Sequence, residues 1–377
     1  MGWWLMANLN VVRTFHPIGQ GGFYSERHNN FNIVYDCGAH PISNYAKKLA
    51  GNVFSKQEYI DVLFISHFDY DHISTIPMLM KSVKNIKSVV IPLLTEKHKN
   101  LLININRVLS YNFITLIRNP EAYFGPNTTI IYVHPDDDRI DDDRLADLRD
   151  VTNSKKNKKH ISSGVELILR DTPNWVFIPH NYKHKDRHLD LINRLSNLGS
   201  KYDINKLEND PDYTIQQLSD KNTRNELKAI YKKLDGNINE NSMLLYSGPR
   251  DEFRAQDMWM YESTEHESHC TLNHKNQVGC IYTGDSDFKG FQLKDIYSLQ
   301  KRCVGVVQVP HHGSSKSFDI NALEGFSSLT CPVSYGTKNS HQHPEISVIN
   351  ALSLRQFAPI LISEKPSSQV IQRIYSK

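Results

Sequence analysis

Ser66-His67-Phe68-Asp69-Tyr70-Asp71-His72 gathers four side chains able to ligate a metal ion, His67, Asp69, Asp71 and His72, within six residues. The apolar run Val62-Leu63-Phe64-Ile65 in front of it reads as a buried strand. Alternate residues past a strand end point the same way, so His67, Asp69 and Asp71 can converge while Phe68 and Tyr70 point elsewhere. Imidazole and carboxylate together suit borderline or hard divalent ions such as zinc or manganese, not a soft thiolate site. A polar loop whose acids sit beside histidines by accident is the bland alternative, and it leaves this density behind a buried strand without a reason.

The same residue types recur where other strands are expected to end: Asp36 after residues 31–35, Asp285 after 278–283, His311-His312 after 304–309, and His343 after 332–334. Polar groups at strand ends with apolar interiors let one sheet edge present a metal centre while the sheet body stays a core. Other clusters read differently. His134 and His180 look like ordinary structural histidines, and the acidic run 136–143 lacks EF-hand spacing and reads as a solvated loop. Glu265-His266-Glu267-Ser268-His269-Cys270 with His274 matches no zinc spacing that can be defended.

The elements that must position these groups follow from periodicity. Strands are expected at 11–15, 31–35, 62–65, 88–91, 129–133, 165–169, 175–178, 243–246, 278–283, 304–309, 332–334 and 360–363. Helices are expected at 41–49, 73–83, 97–116, 293–299, 321–326 and 345–354, with a last helix at the C-terminus. Gly19-Gln20-Gly21-Gly22 makes a turn in an opening hairpin and lacks the GxGxxG spacing of a dinucleotide site. Residues 182–240 turn polar and charged, with leucine and isoleucine at helical spacing. They read as a helical insertion, a lid or partner surface, within a single domain spanning 1–377.

Composition narrows the class. An apolar fraction of 39% and a charged fraction of 23% over 377 residues are those of a globular protein with a sizeable core. A net charge of +3 makes no electrostatic case for or against nucleic acid. Five scattered cysteines, an odd number without a secretory signal, point to a reducing compartment, so a cytoplasmic location is expected. The apolar start Met1-Gly2-Trp3-Trp4-Leu5-Met6 is too short to span a membrane, and Met6 breaks the myristoylation pattern. No transmembrane segment is expected.

Taken in order, strand, Ser66-His67-x-Asp69-x-Asp71-His72, Thr283-Gly284-Asp285 and His311-His312-Gly313-Ser314 resemble the metallo-β-lactamase fold, and within it the soluble domain of ComEC-type DNA-uptake proteins. Ile18-Gly19-Gln20-Gly21 resembles that group's VGQG turn, Tyr35-Asp36-Cys37-Gly38 its I-D-x-G, and Asn241-Ser242 its N-x-S. Ser334-Tyr335-Gly336 to Asn339 and His343-Pro344 resemble its S-x-G-x-x-N and H-P. The insertion and residues 251–277 fall outside, and the group's membrane channel has no counterpart.

The resemblance implies an αββα sandwich holding one or two divalent ions, zinc or manganese with magnesium admitted. His67 and Asp69 would face one ion, Asp71 and His72 the other, and Asp285 would bridge. His311 and His343 compete as the closing ligand, Asp71 and His312 would move protons, and Asn241, Ser242, Ser314 and Asn339 would meet substrate. Asp69 stands where the wider superfamily has histidine, which favours a more oxygen-rich site and hence manganese or magnesium. The implied activity is hydrolysis of a phosphodiester, with DNA or RNA as substrate. Two alternatives stay open: a hydrolase of non-nucleic-acid esters, thioesters or lactones, and a partner-binding component, for example of a bacterial defence system, with a residual metal site and a protein docked on the insertion.

Overall fold

A computed structural model of the chain describes residues 10–105, 111–138, 140, 145–148, 158–169, 172–182, 193–197, 201–231, 242–252, 254–261, 268–270 and 276–376. Strands β1 (Asn10–Phe15), β2 (Phe23–His28) and β3 (Phe31–Cys37) form an antiparallel meander. From β3 the sheet continues in parallel through β4 (Tyr59–Phe64), β5 (Asn85–Pro92) and β6 (Thr129–Val133) to β8 (Lys158–Ile161). On its other side β18 (Val370–Ser376) pairs with β1, and β12 (Ala255–Tyr261) and β13 (Ser268–Cys270) follow, giving ten strands among the described residues.

The second sheet holds β7 (Leu145–Asp147), β9 (Glu166–Leu169), β10 (Thr172–His180), β11 (Leu244–Pro249) and β14 (Gly279–Tyr282), then β15 (Val304–Val307), β16 (Thr330–Ser334) and β17 (Ala358–Ile362). Its order is β17-β16-β15-β14-β11-β10-β9-β7, with β14 to β17 parallel. Between the sheets lies one apolar core that includes Phe15, Phe64, Trp175, Phe177, Leu245, Trp259 and Tyr282.

Helices cover the outer faces. α1 (Asn44–Ala50), α2 (Tyr70–Ile73), α3 (Ile76–Ser82), α4 (Glu96–Ile105), α5 (Tyr111–Arg118) and α6 (Pro120–Phe124) are on the side of the first sheet, where Ala46, Leu79, Leu116 and Phe124 pack on Val34, Leu63 and Val89. Three further helices, α7 (Ile204–Asn209), α8 (Pro211–Ser219) and α9 (Lys221–Tyr231), pack against α4. They enclose their own small cluster of Leu195, Tyr202, Leu207, Leu218 and Leu227. The insertion is thus helical where it is described, and its remaining residues lie outside the described ones. α10 (Leu293–Ile296) and α11 (Ile346–Leu354) cover the second sheet through Leu293, Val348 and Leu352. Two sheets packed face to face between helical layers make the αββα sandwich that the resemblance implies. Among the described residues no helix is long and apolar enough to cross a membrane.

Several expectations are corrected. The C-terminus is a strand, β18, not a helix: Val370, Gln372 and Ile374 alternate into the core while the strand fills the gap between β1 and β12. Its apolar residues suit either period, so pairing on both sides decides. β2 was not expected at all, because the polar Ser25, Glu26 and His28 break the apolar alternation. These three are nonetheless buried. The helix expected over 73–83 is divided at Ser74-Thr75 into α2 and α3, and the one over 97–116 is described as α4 and α5.

Candidate metal centre

Parallel strands carry their C-terminal ends to the same edge, so β3, β4, β14, β15 and β16 release Asp36, the 66–72 segment, Asp285, His311-His312 and the 335–344 loop side by side. Asp71, His72, Asp285 and His312 each offer one ligand atom, and these four atoms lie within 4.8 Å of one another. His72 Nε2 is 3.1 Å from Asp285 Oδ1, and His312 Nε2 is 3.1 Å from Asp71 Oδ2. The other oxygen of Asp285, Oδ2, lies 3.9 Å from both His67 Nε2 and His311 Nε2. Asp285 therefore stands between two groups of ligand atoms, one facing each of its oxygens.

Each imidazole is turned so that Nε2 faces inward while Nδ1 is held from behind. His72 Nδ1 donates to Asp36 Oδ2 at 2.8 Å. The Ser66 backbone N–H donates to Asp36 Oδ1 and the Ser66 hydroxyl to Asp36 Oδ2, both at 2.7 Å. His67 Nδ1 in turn sits 2.8 Å from Ser66 Oγ and 3.1 Å from Ser242 Oγ. One buried carboxylate thus orders two histidines, His72 directly and His67 through Ser66. His312 Nδ1 donates to the Ser334 carbonyl at 2.9 Å, and His311 Nδ1 pairs with Ser317 Oγ at 2.9 Å. Such partners fix the tautomer and raise the basicity of the inward nitrogen.

The backbone is bent to allow this. His311, His312 and Gly313 have φ of 49°, 56° and 81°. For the two histidines the left-handed region costs about 1–2 kcal/mol each, and it swings both rings toward Asp285. Gly21 and Gly38 press α2 into place. At φ +148° a Cβ on Gly21 would come within 2.4 Å of the Asp71 carbonyl oxygen, and one on Gly38 within 2.4 Å of the His72 carbonyl carbon. The opening glycine turn therefore has a structural purpose: it cups the helix that carries two ligands.

Electrostatics follow from three carboxylates, Asp36, Asp71 and Asp285, placed among these imidazoles. Burial works against a charged His72, yet Asp285 and Asp36 outweigh it and push its pKa well above the ordinary imidazole value. His312 is also raised, because Asp285 and Asp71 overcome its burial. Burial would lift Asp71, but the hydrogen bond from His312 and the nearby His72 hold it down to about 2. Asp285 lies well below its usual range, since His72, His311 and His312 outweigh burial. His67 goes the other way: burial, then repulsion from His72, lowers it to about 3. It is neutral at pH 7, with a buried Nε2 that has no hydrogen-bond partner. A basic nitrogen left bare in the protein interior is costly unless something ligates it, and imidazoles with carboxylates are the donor set of a borderline divalent cation. The residues fit such an ion.

Residues 25–152 match the family model described as Metallo-beta-lactamase superfamily. The match runs from within β2 through the 66–72 cluster and ends past β7. No curated protein sequence matches the chain significantly. Among solved structures it is similar to the metallo-beta-lactamase fold protein YhfI from Bacillus subtilis, at 11% identity over 97% of this chain and 99% of that one, TM-score 0.36. It is also similar to human tRNase Z, short form, at 10% identity over 93% and 92%, TM-score 0.35. Neither likeness bears on what this chain acts on.

The structure brings together His67, Asp71, His72, Asp285, His311 and His312. Asp69 stands at the start of α2, outside the four-atom cluster. His343 is outside it too, with its ring centroid 6.1 Å from that of His311. His312, expected to move protons, lies within the ligand cluster. Ser242, expected at substrate, is buried behind the ligands, accepting from the Asp285 N–H at 3.0 Å. Ser314 is buried, its N–H closing the His311 turn at 3.0 Å. Asn339 spends its amide on the 336–343 backbone. Asn241 lies outside the described residues, as does most of the 265–274 cluster. Of the supports, Ser334 opens the segment that resembles S-x-G-x-x-N, whereas Ser317 carried no sequence signal, because a lone serine is too common to single out.

Replacing Asp36 by Asn should weaken metal binding about 10–100-fold while leaving the fold intact, the range for partners behind ligands. An amide NH₂ facing His72 would force its proton onto Nε2 and remove the inward lone pair. Metal titration of both proteins against a competing chelator reads this, and equal affinities would remove Asp36 from the scheme.

Proposed function

We propose that this chain is a metal-dependent hydrolase that cleaves phosphodiesters, a nuclease in the widest sense. The observation that carries the reading is Asp285 set between two groups of ligand atoms, His72 and His312 on one side, His67 and His311 on the other. This suits a mononuclear or dinuclear centre at the edge where the parallel strands end. His67, Asp71, His72, Asp285, His311 and His312 would hold the ions. When bound, the ions supply an activated water and positive charge opposite the oxygens that become negative in the transition state.

The chain's own residues do the rest. Asp71, held as a carboxylate at neutral pH, would accept a hydrogen bond from the attacking water. Asp36, Ser66, Ser242, Ser317 and the Ser334 carbonyl keep the four imidazoles from rotating. A preset arrangement of this kind lowers the reorganisation needed at the moment of reaction. The choice of phosphodiester over ester or lactone rests on the order of ComEC-like motifs from Ile18 to Pro344.

The test is cleavage of labelled DNA, labelled RNA and a chromogenic phosphodiester by metal-stripped protein resupplied with manganese, magnesium or zinc. Wild type should cleave at least one of them in an ion-dependent way, and Asp71→Ala should not. Tight stoichiometric metal binding without cleavage of any would refute the phosphodiesterase reading for the isolated chain.

A further inference from the structure

Positive charge gathers at one end of the helical layer that covers the first sheet. Lys47 and Lys48 lie in the last turn of α1, Lys81 in the last turn of α3, Lys56 in the 51–58 loop and Lys84 just before β5. All five are exposed, and none has an ion-pair partner among the described residues. Residues 40–61 and 76–88 hold only two carboxylates, Glu58 and Asp61, and both are engaged. Arg27 donates to Glu58, and Lys87 Nζ donates to Asp61 Oδ1 at 2.6 Å. On α5 and α6, Arg118 is paired with Asp212 at 2.8 Å, and Glu121 accepts from the Tyr132 hydroxyl at 2.9 Å.

These lysines share one surface. α1 packs on α3, and the Gly51 N–H closes the end of α1 on the Lys47 carbonyl at 3.1 Å, so the chain passes directly from Lys47-Lys48 into the loop that carries Lys56. That loop is held by Arg27, which donates to the Val53 carbonyl at 2.7 Å, and by the Lys84 N–H, which donates to the Glu58 carbonyl at 2.8 Å. The Lys84 and Lys87 ammonium groups lie 4.9 and 4.8 Å from the centre of the Tyr59 ring. Lys81 lines a cavity of about 340 Å³ between α3 and the α5–α6 pair, together with Pro77, Met80, Asn112 and Tyr123. α2 starts at the metal centre and α3 ends at the lysines, so this cavity lies between the two. β4 covers the same distance, with His67 eight residues beyond Tyr59, about 26 Å at the rise of a strand.

Helix C-termini favour cations, which accounts for Lys47, Lys48 and Lys81. It does not account for Lys56 and Lys84, nor for like charges gathered without a counterion, whose repulsion a polyanion would relieve. The large apolar residues exposed among the described residues, Leu299, Ile346, Leu354, Leu361 and Tyr375, belong neither to α1, α3, β4 and β5 nor to the loops between them. This face therefore has nothing to insert into a bilayer.

We infer that the lysine face docks the phosphate backbone of a nucleic-acid strand at a segment remote from the scissile bond, with the α3 cavity on the way from one to the other. This deepens the phosphodiesterase reading and rests on it for the nature of the polyanion. Lysines that neutralise backbone phosphates release counterions, so the contact is independent of sequence and weakens with salt. A strand reaching both places spans at least about eight base pairs at 3.4 Å each. The face therefore selects long substrates over short ones.

The experiment measures binding of labelled DNA and RNA strands of about 30 nucleotides to the metal-stripped full chain over a salt series, so that no cleavage is needed. In the fourfold variant Lys47→Gln, Lys48→Gln, Lys56→Gln and Lys84→Gln, the slope of log affinity against log salt should fall by about 0.7 for each lysine that meets a single strand. The matching fourfold change to Arg should keep the wild-type slope, because it keeps the charge. An unchanged slope and affinity in the Gln variant overturn the inference, as does failure of wild type to bind any strand. So does lysine-dependent binding of polyglutamate or of phosphatidylserine vesicles in place of the strands. A second arm compares cleavage by the metal-loaded proteins: kcat/KM for the long strand should fall in the Gln variant, and that for a chromogenic phosphodiester should not. An equal fall for both overturns the remote placement. If the long strand binds in a lysine-dependent way but nothing is cleaved with any ion, the docking face stands and the phosphodiesterase reading falls.

Discussion

Asp285→Ala should abolish stoichiometric metal binding, with every affinity lowered more than about 100-fold, the upper end for groups that merely support ligands. Asp285 is the one carboxylate that faces both groups of ligand atoms, so its loss removes an anionic ligand from each. Inductively coupled plasma measurement on dialysed protein would read it, and a variant retaining the wild-type ion count would remove Asp285 as the bridge. The same geometry fixes a pH dependence. Without an ion, Asp285 and its neighbours hold protons on His72 and His312, whose pKa values are raised. An ion must displace those protons, so metal affinity should weaken as pH falls through the raised values, by up to about tenfold per unit for each proton released. Calorimetry in buffers of different ionisation enthalpy counts those protons. No release at pH 6 would contradict the charge arrangement.

Glu26→Gln should destabilise the fold by about 3–5 kcal/mol, the usual cost of breaking a buried ion pair by removing one partner. Arg13 and Glu26 lie between the two sheets and are fully buried. Arg13 Nε donates to Glu26 Oε1 at 2.8 Å, and its other nitrogens reach the Gln372 side chain and the Val278 and Ser247 carbonyls. Glu26 also accepts from Tyr282 and Ser247 hydroxyls at 2.8 and 2.7 Å and contacts His28 at 3.1 Å. Strands β1, β2 and β18 of one sheet are thereby clamped to β11 and β14 of the other.

Burial alone would raise the Glu26 carboxyl, but Arg13, His28 and Ser247 hold it well below the usual range. A depressed folded-state pKa contributes stability above the unfolded value of about 4.3, and that stability is lost as pH falls below it. Wild type should therefore lose stability on acidification from about pH 5 downward, and Glu26→Gln should show a flatter acid limb. Urea unfolding at pH 7, 5 and 3.5 checks both size and sign. Equal midpoints for the two proteins at pH 7 would mean that the clamp contributes nothing net.

The sequence by itself determined the strand-end pattern of this protein and hence the chemistry at its edge. His67, Asp71 and His72 are local: they follow a buried strand within a few residues, although strand alternation grouped Asp69 with His67 and Asp71, and the helical turn α2 instead brings His72 beside Asp71. Asp285 and His311-His312 were legible for the same reason, each directly after an apolar run. The αββα sandwich was implied by the family resemblance that these strand-end motifs carry, and periodicity alone gave only strands alternating with helices.

Tertiary structure decided what depends on neighbours far away in the chain. Asp36 became the residue behind His72 and, through Ser66, behind His67, although a carboxylate at a strand end reads equally well as a ligand. Asp69 and His343 fall outside the four-atom cluster of Asp71, His72, Asp285 and His312, one at the start of α2 and the other on the Asn339-built loop, and neither placement can be read from local spacing. β2 was hidden because its polar residues are buried only once Arg13 and the second sheet surround them. β18 is a strand because β1 and β12 pair with it on both sides, and hydrogen-bonding partners 100 or more residues away leave no trace in local periodicity.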